Sequence, residues 1–212
     1  NGAGKTTLMD LISGRTRSTE GRVLVHGREV TNWREYRIAR AGIGRKFQIP
    51  SVFSGLTVRQ NLEVAASQRP GVFANLRLRR SAASRARVDE VMDLIDLADE
   101  AGQEAGNLSH GQTQWLELGM LMIQNPSVIL LDEPTAGMTQ AETAKTAEII
   151  NRLKGHHTLL VVEHDMAFVR EIAERITVLH LGRVLAEGSV DFIENNPEVR
   201  AAYLGTQGIS AC

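Results

Sequence analysis

The chain has 212 residues, enough to bury a proper core as one domain or as one domain carrying an insert. Its 24 Lys and Arg against 25 Asp and Glu leave a net charge of −1, which argues against a dedicated nucleic-acid binder with its usual basic face. The one cysteine, Cys212, permits no internal disulfide and points to a reducing compartment, and no apolar run approaches the roughly 20 residues that span a bilayer, so any membrane role is expected to come through a partner.

The first residues, Asn1-Gly2-Ala3-Gly4-Lys5-Thr6-Thr7, are the back half of the phosphate-binding pattern G-x-x-x-x-G-K-[ST]. Glycines let successive backbone N–H groups turn toward phosphates, and the helix beginning there adds the positive end of its dipole. In that pattern Lys5 reaches the β- and γ-phosphates and the Thr6 hydroxyl holds Mg²⁺. A P-loop follows a buried strand. That strand is expected ahead of Asn1, so the chain reads as a fragment that binds ATP weakly when alone.

The predicted elements follow in order. Thr6 to Ser13 reads as a helix stopped by Gly14, Arg22 to Gly27 as a short strand, and Ala41 to Phe47 as a second strand running into Gln48-Ile49-Pro50. From Ser51 to about Asn107 the character becomes helical, with a helix over Thr57 to Ala66 and another over Arg79 to Ala101 that carries Val88, Val91, Met92, Ile95 and Leu97 on one face. Arg77, Arg79, Arg80, Arg85 and Arg87 in this stretch read as a solvated face, the alternative being contact with anionic lipid headgroups. Ser109 to Gln124 is the next helix, with Ser109 as N-cap. Val128 to Leu131 is apolar throughout, as a central parallel strand must be. Helices over Thr139 to Leu153 and Met166 to Glu174 flank a second buried strand, Thr158 to Val162. Strands at Ile176 to Leu179 and Val184-Leu185 surround a turn at Gly182, and helical turns close the chain near Val190 to Asn195 and Pro197 to Leu204. Trp33 and Trp115 read as packing residues.

Two motifs carry further chemistry. The strand ending in Asp132-Glu133 places two carboxylates at the C-terminal end of a buried strand, where they are costly unless they face a cation or a site. Asp132 is expected to bind Mg²⁺ and Glu133 to act as general base on the attacking water. Leu108-Ser109-His110-Gly111-Gln112 opens a helix whose exposed N–H groups suit an anion.

A P-loop, an L-S-x-G-Q segment at Leu108 to Gln112 and Leu131-Asp132-Glu133-Pro134, in this order, resemble an ABC-type ATPase over essentially the whole chain. The resemblance implies an α/β fold, a P-loop NTPase of ABC type with a RecA-like mixed sheet core, a small antiparallel β part and an all-helical insert. It divides the chain into an N-terminal part of the core (1–50), a helical subdomain (51–107), and the signature helix, Walker B strand and C-terminal part of the core (108–212). It implies ATP and Mg²⁺ as cofactors, with Asn1, Gly2, Ala3, Gly4, Lys5, Thr6 and Thr7 around the nucleotide and Ser109, His110, Gly111 and Gln112 meeting the nucleotide of a second ATPase subunit. It makes Gln48 the Q-loop residue that senses Mg²⁺ and water, His164 the switch histidine at the γ-phosphate, and Thr6, Gln48 and Asp132 the metal contacts. His110 departs from the common glycine, and Thr139 stands where many members carry aspartate.

The stretches Gly44 to Phe53, Leu56 to Leu62 and Pro197 to Gly205 resemble importer ATPases for branched-chain amino acids and urea, and Leu108 to Glu117 is most similar to the ATP-binding subunit of urea importers. The implied partners are a second ATPase subunit, transmembrane permease subunits coupled through Pro50, Val52 and Phe53, and indirectly a periplasmic or extracellular substrate-binding protein, with no nucleic acid. The implied location is peripheral, on the cytoplasmic face of the inner or plasma membrane. The alternatives are a branched-chain amino acid importer ATPase and, from another class, a soluble ABC ATPase.

Overall fold

A computed structural model describes residues 2–46, 52–66 and 82–207, the last five of these in backbone only. Gln48, Pro50 and Asn1 lie outside the described residues, as do Arg77, Arg79 and Arg80. Among the described residues, three parallel strands form the central sheet in the order β3 (Ile43–Arg45), β4 (Val128–Asp132) and β5 (Thr158–Val162). Two antiparallel pairs stand beside it: β1 (Leu24–Val25) with β2 (Arg28–Glu29), and β6 (Ile176–His180) with β7 (Arg183–Gly188). Leu181-Gly182 joins the last pair with φ of 49° and 76°, the positive values a two-residue hairpin turn demands.

Nine helices are described: α1 (Lys5–Ser13), α2 (Glu35–Arg40), α3 (Val58–Ala66), α4 (Ala82–Leu94), α5 (His110–Met122), α6 (Gln140–Leu153), α7 (Met166–Ile172), α8 (Val190–Asn195) and α9 (Pro197–Gln207). The main core is one continuous apolar cluster. Val58 and Leu62 of α3 and Val91 of α4 pack with Leu116 of α5, Ile129 and Leu131 of β4 and Ala147 of α6. A smaller cluster of Met9, Ile38, Ile43 and Leu130 fastens α1 and α2 to the other face of the sheet.

β4 is paired on both sides, and its Ile129, Leu130 and Leu131 are buried. β5 is as apolar in sequence but only half-buried from Leu159 to Val162. Its second edge opens onto a groove of about 450 Å³ whose far wall includes Ile176 and Leu179 of β6 and whose rim carries Lys5 and Leu8.

The structure corrects several expected boundaries. The helix expected over Arg79 to Ala101 ends at Leu94, because Asp96 turns left-handed at φ 53° and its carboxylate is held by Lys145 and Arg152 of α6, at 2.7 and 3.0 Å. The strand expected over Arg22 to Gly27 shortens to Leu24–Val25. α2 was not foreseen at all. It is six residues long, and its Arg37 shares the Trp33 ring with Arg28, the two guanidinium carbons 4.4 and 4.7 Å from the ring centre. Val52 packs against the main core, whereas Phe53 is half exposed. Arg85 is exposed, but Arg87 donates to the Met122 carbonyl and pairs with Glu90.

Candidate functional site

The C-terminal ends of parallel strands are where open α/β sheets bind ligands, and here they gather charge. β3 ends in Arg45-Lys46, β4 in Asp132-Glu133, and β5 runs into Glu163-His164. α1 begins beside them. Gly2 and Gly4 sit at φ 84° and 94°, conformations that favour glycine. Gly4 is the N-cap of α1, no side chain among the described residues caps the helix, and no acidic residue stands in its first turn. The first N–H groups of the helix are thereby left for a ligand. The loop is pinned from the far side: the N–H of Gly182 donates to the Ala3 carbonyl at 3.1 Å. Lys5 is half-buried, Thr6 and Thr7 are exposed, and Lys5 shares a groove of about 250 Å³ with Glu163, His164 and Met166.

Asp132 is buried, its side chain 4% exposed with Arg45 Nη2 3.7 Å from its Oδ2. Burial pushes its pKa up, with Glu133 and Asp10 adding to the rise and Arg45 and Lys5 opposing it. Its Oδ2 is buried without a hydrogen-bond partner among the described residues. Arg45 also donates to Asp10 Oδ1 at 2.5 Å and to Ser13 Oγ at 2.9 Å, so one guanidinium ties α1 to the strand ends.

Glu133 has φ 46°, an uncommon region for a residue with a side chain, held by its N–H bond to the Val162 carbonyl. Its Oε1 lies 3.5 Å from Nδ1 of His164, whose ring is 69% exposed. Glu163 is the opposite case, 1% exposed. Its carboxylate accepts the Thr135 N–H and hydroxyl and the His164 N–H, fixing where the turn after β4 and the histidine stand.

The segment Ser109 to Gln112 forms a second cluster. Ser109 and Gln112 cap α5 reciprocally: Gln112 N–H donates to Ser109 Oγ, and Ser109 N–H to Gln112 Oε1. His110 Nε2 lies 3.1 Å from the Ala136 carbonyl, so the departure from glycine packs this motif onto the turn after β4. Thr139 is the N-cap of α6 in a second capping box, with Glu142 at N3. Glu142 reaches further: its Oε1 accepts Ser109 Oγ at 2.9 Å and Gly111 N–H at 3.1 Å. These bonds, with Thr139 first among them, hold the Glu142 pKa down at about 2.

Between the clusters, buried Lys46 bonds Gln114 Oε1 and lies 3.7 Å from Glu117 Oε2 on α5. Burial lowers its pKa against the opposing pull of Glu117. Trp115 packs at the edge of the core as expected and donates to Thr146 Oγ1. The expected Lys5, Asp132, Glu133 and His164 thus converge at the strand ends, and Ser109 and Gly111 meet around Glu142. Arg45, Asp10, Glu163 and Glu142 were not anticipated. Thr139-x-x-Glu142 is a capping-box signature that marks the last of these in the sequence.

This arrangement matches a known family. The family profile of ABC transporters fits residues 1–136, and that of the branched-chain amino acid ATP-binding cassette transporters fits residues 183–208. The chain is 38% identical to the high-affinity branched-chain amino acid transport ATP-binding protein LivG of Salmonella typhimurium, over 97% of this chain and 84% of that protein. It is 35% identical to BraF of Pseudomonas aeruginosa over the same shares. Among solved structures, an ATP-binding cassette of an ABC transporter in its ADP conformation superposes with a TM-score of 0.80 at 26% identity, covering 97% of this chain and 85% of that one. A dimeric cassette bound to ADP and Pi gives 0.71 at 26% identity, covering 89% and 81%.

The chain belongs to the ABC transporter ATP-binding family, and it is an ATPase coupled to transport. The relatives are named for branched-chain amino acids and not for urea, so the second of the two substrate readings above fits them better.

Proposed function

We propose that this chain is the ATP-hydrolysing subunit of an importer for branched-chain amino acids. The similarity to LivG-type proteins, which runs from the P-loop to the C-terminal segment, is the observation that carries this reading. In the working protein it sits peripherally on the cytoplasmic face of the membrane, pairs with a second ATPase subunit and drives permease subunits, to which a substrate-binding protein delivers cargo. No described helix is long and apolar enough to cross a membrane.

ATP lies with its phosphates on the open N-terminus of α1, held by Gly2, Ala3, Gly4, Thr7 and the Lys5 ammonium. The buried orphan oxygen of Asp132 and the exposed Thr6 hydroxyl fit a Mg²⁺ site of the usual kind, one or two protein oxygens with phosphate and water completing it. When bound, that ion neutralises charge on the transferring phosphoryl group. Glu133 takes the proton of the attacking water, and His164, 3.5 Å from it, faces the γ-phosphate. Gln48, following β3 in the sequence, senses nucleotide and relays the state through the stretch 51–107 toward the permease. Ser109 and Gly111, with His110 and Gln112 beside them, contact the γ-phosphate held by the partner subunit.

Deleting the full-length gene and measuring uptake of labelled leucine and labelled urea side by side tests the cargo. Loss of leucine uptake is expected. Loss of urea uptake alone would favour the urea reading, for which the stretch from Leu108 to Glu117 speaks. Uptake of both at the normal rate, in cells without a redundant importer, would overturn the importer assignment.

A further inference from the structure

We propose that Glu142 is a built-in stand-in for phosphate: its carboxylate occupies the Ser109 and Gly111 donors in the unpaired subunit and must leave them before they can take the nucleotide of a partner. This rests on the reading of Ser109 and Gly111 as phosphate donors given above.

The geometry is that of one anion shared by two motifs. Oε1 takes the Ser109 hydroxyl and the Gly111 N–H, and Oε2 takes the Thr139 N–H and hydroxyl at 2.9 and 3.0 Å. Four donors from two chain segments therefore converge on one carboxylate. Gly111 is fitted to it: a Cβ at this position would stand 2.5 Å from Oε1 and 2.6 Å from Cδ, so the missing side chain is the space the carboxylate fills. Thr139 is fitted to it as well. An aspartate there would set a second carboxylate against Glu142, whereas the threonine hydroxyl donates to it. Glu142 stays ionised at any physiological pH, since these bonds hold its pKa at about 2.

Two anions cannot share these donors. A γ-phosphate approaching Ser109 and Gly111 meets like charge until Glu142 swings away, and the swing releases Thr139 at the end of the segment that Thr135 fastens to Glu163 beside His164. The energy of leaving the signature donors is drawn from nucleotide binding, so Glu142 sets the ATP concentration at which subunits pair.

The test uses the full-length protein with its pairing subunit and Glu133→Gln to stop turnover. ATP-driven association is followed by analytical ultracentrifugation. Glu142→Gln keeps a residue that serves at N3 of a capping box and removes the charge. It is expected to lower the ATP concentration for half-maximal pairing by roughly fivefold or more. Pairing at the same or a higher ATP concentration would overturn the proposal. Glu142→Ala also loses the cap of α6. It should melt lower yet still pair more readily, whereas a purely capping Glu142 would give the lower melting temperature with no gain in pairing. Ser109→Ala separates the two ideas. If it leaves pairing unchanged, the phosphate-donor reading fails. If it weakens pairing while Glu142→Gln does not strengthen it, only the stand-in fails.

Discussion

Helices α1 and α5 both begin at turns rich in glycine and hydroxyl groups, and they are finished in opposite ways. α1 starts after Gly4 with no side-chain cap and no acid in its first turn. α5 starts after Ser109 with a reciprocal capping box and a carboxylate from another helix seated on it. Both ends carry the same dipole and the same first N–H groups without a partner inside the helix. The first waits for an anion from outside, while the second brings an anion of its own. If the two ends bind phosphate as proposed above, a paired ATPase has reason to keep them so different: the P-loop would load in the single subunit, and the signature would engage only when a partner arrives.

The largest expected effect breaks the cycle at the loaded end. In the full-length protein Glu133→Gln should bind ATP yet hydrolyse it about 10² to 10⁴ times more slowly, the usual contribution of a positioned base, and accumulate as the closed pair. Phosphate release and sedimentation report the two halves of this statement. Full turnover by the variant would remove Glu133 from the role of base.

Next in size is the loss of the cation at the open end. If Lys5 holds phosphate as proposed, Lys5→Ala removes a charge-assisted contact and should weaken ATP binding to the single full-length subunit by about 10- to 100-fold, since such bonds are worth about 1.5–3 kcal/mol. Glu142→Gln should leave that single-subunit affinity unchanged in a fluorescent-nucleotide titration. A drop of similar size in both variants would mean that the two ends are not independent, and the contrast between α1 and α5 would lose its meaning.

The open end was plain in the sequence and the filled end was not, for a physical reason. A P-loop, an apolar strand closing on Asp132-Glu133 and the N-cap at Ser109 are local patterns, and each places its residues within one turn or strand. The Glu142 contact joins residues 31 and 33 positions apart, and only packing brings α5 and α6 together. Arg45 is of the same kind, reaching Asp10 across 35 positions. The local half of the Glu142 story, a Thr-x-x-Glu box, is legible. The six residues of α2 offer too little periodicity to mark it, and Ile95 and Leu97 continue the apolar face of α4 after the backbone has turned at Asp96.

The smallest effect concerns pH, and it separates the two ends by sign. Glu142 has its pKa lowered from 4.5 to about 2 in the fold, so its contribution to stability is complete above the unfolded value and is lost as pH falls from there toward about 2. Asp132 has its pKa raised by burial, so in the absence of a cation its ionisation opposes folding, and that penalty is relieved as pH falls through the raised value. Thermal melts of the nucleotide-free protein should therefore move in opposite directions. The advantage of wild type over Glu142→Gln shrinks from about pH 6 to about pH 3, and because the carboxylate is exposed it is small to begin with. Asp132→Asn melts above wild type at about pH 7, and that gain fades on acidification. Mg²⁺ and ATP should reverse the order of the Asp132 pair, because a buried charge that burdens the empty site is the one that holds the filled one together. If both variants instead shifted in the same direction at every pH, the two carboxylates would share one role, and the distinction between an end that awaits an anion and an end that carries one would not stand.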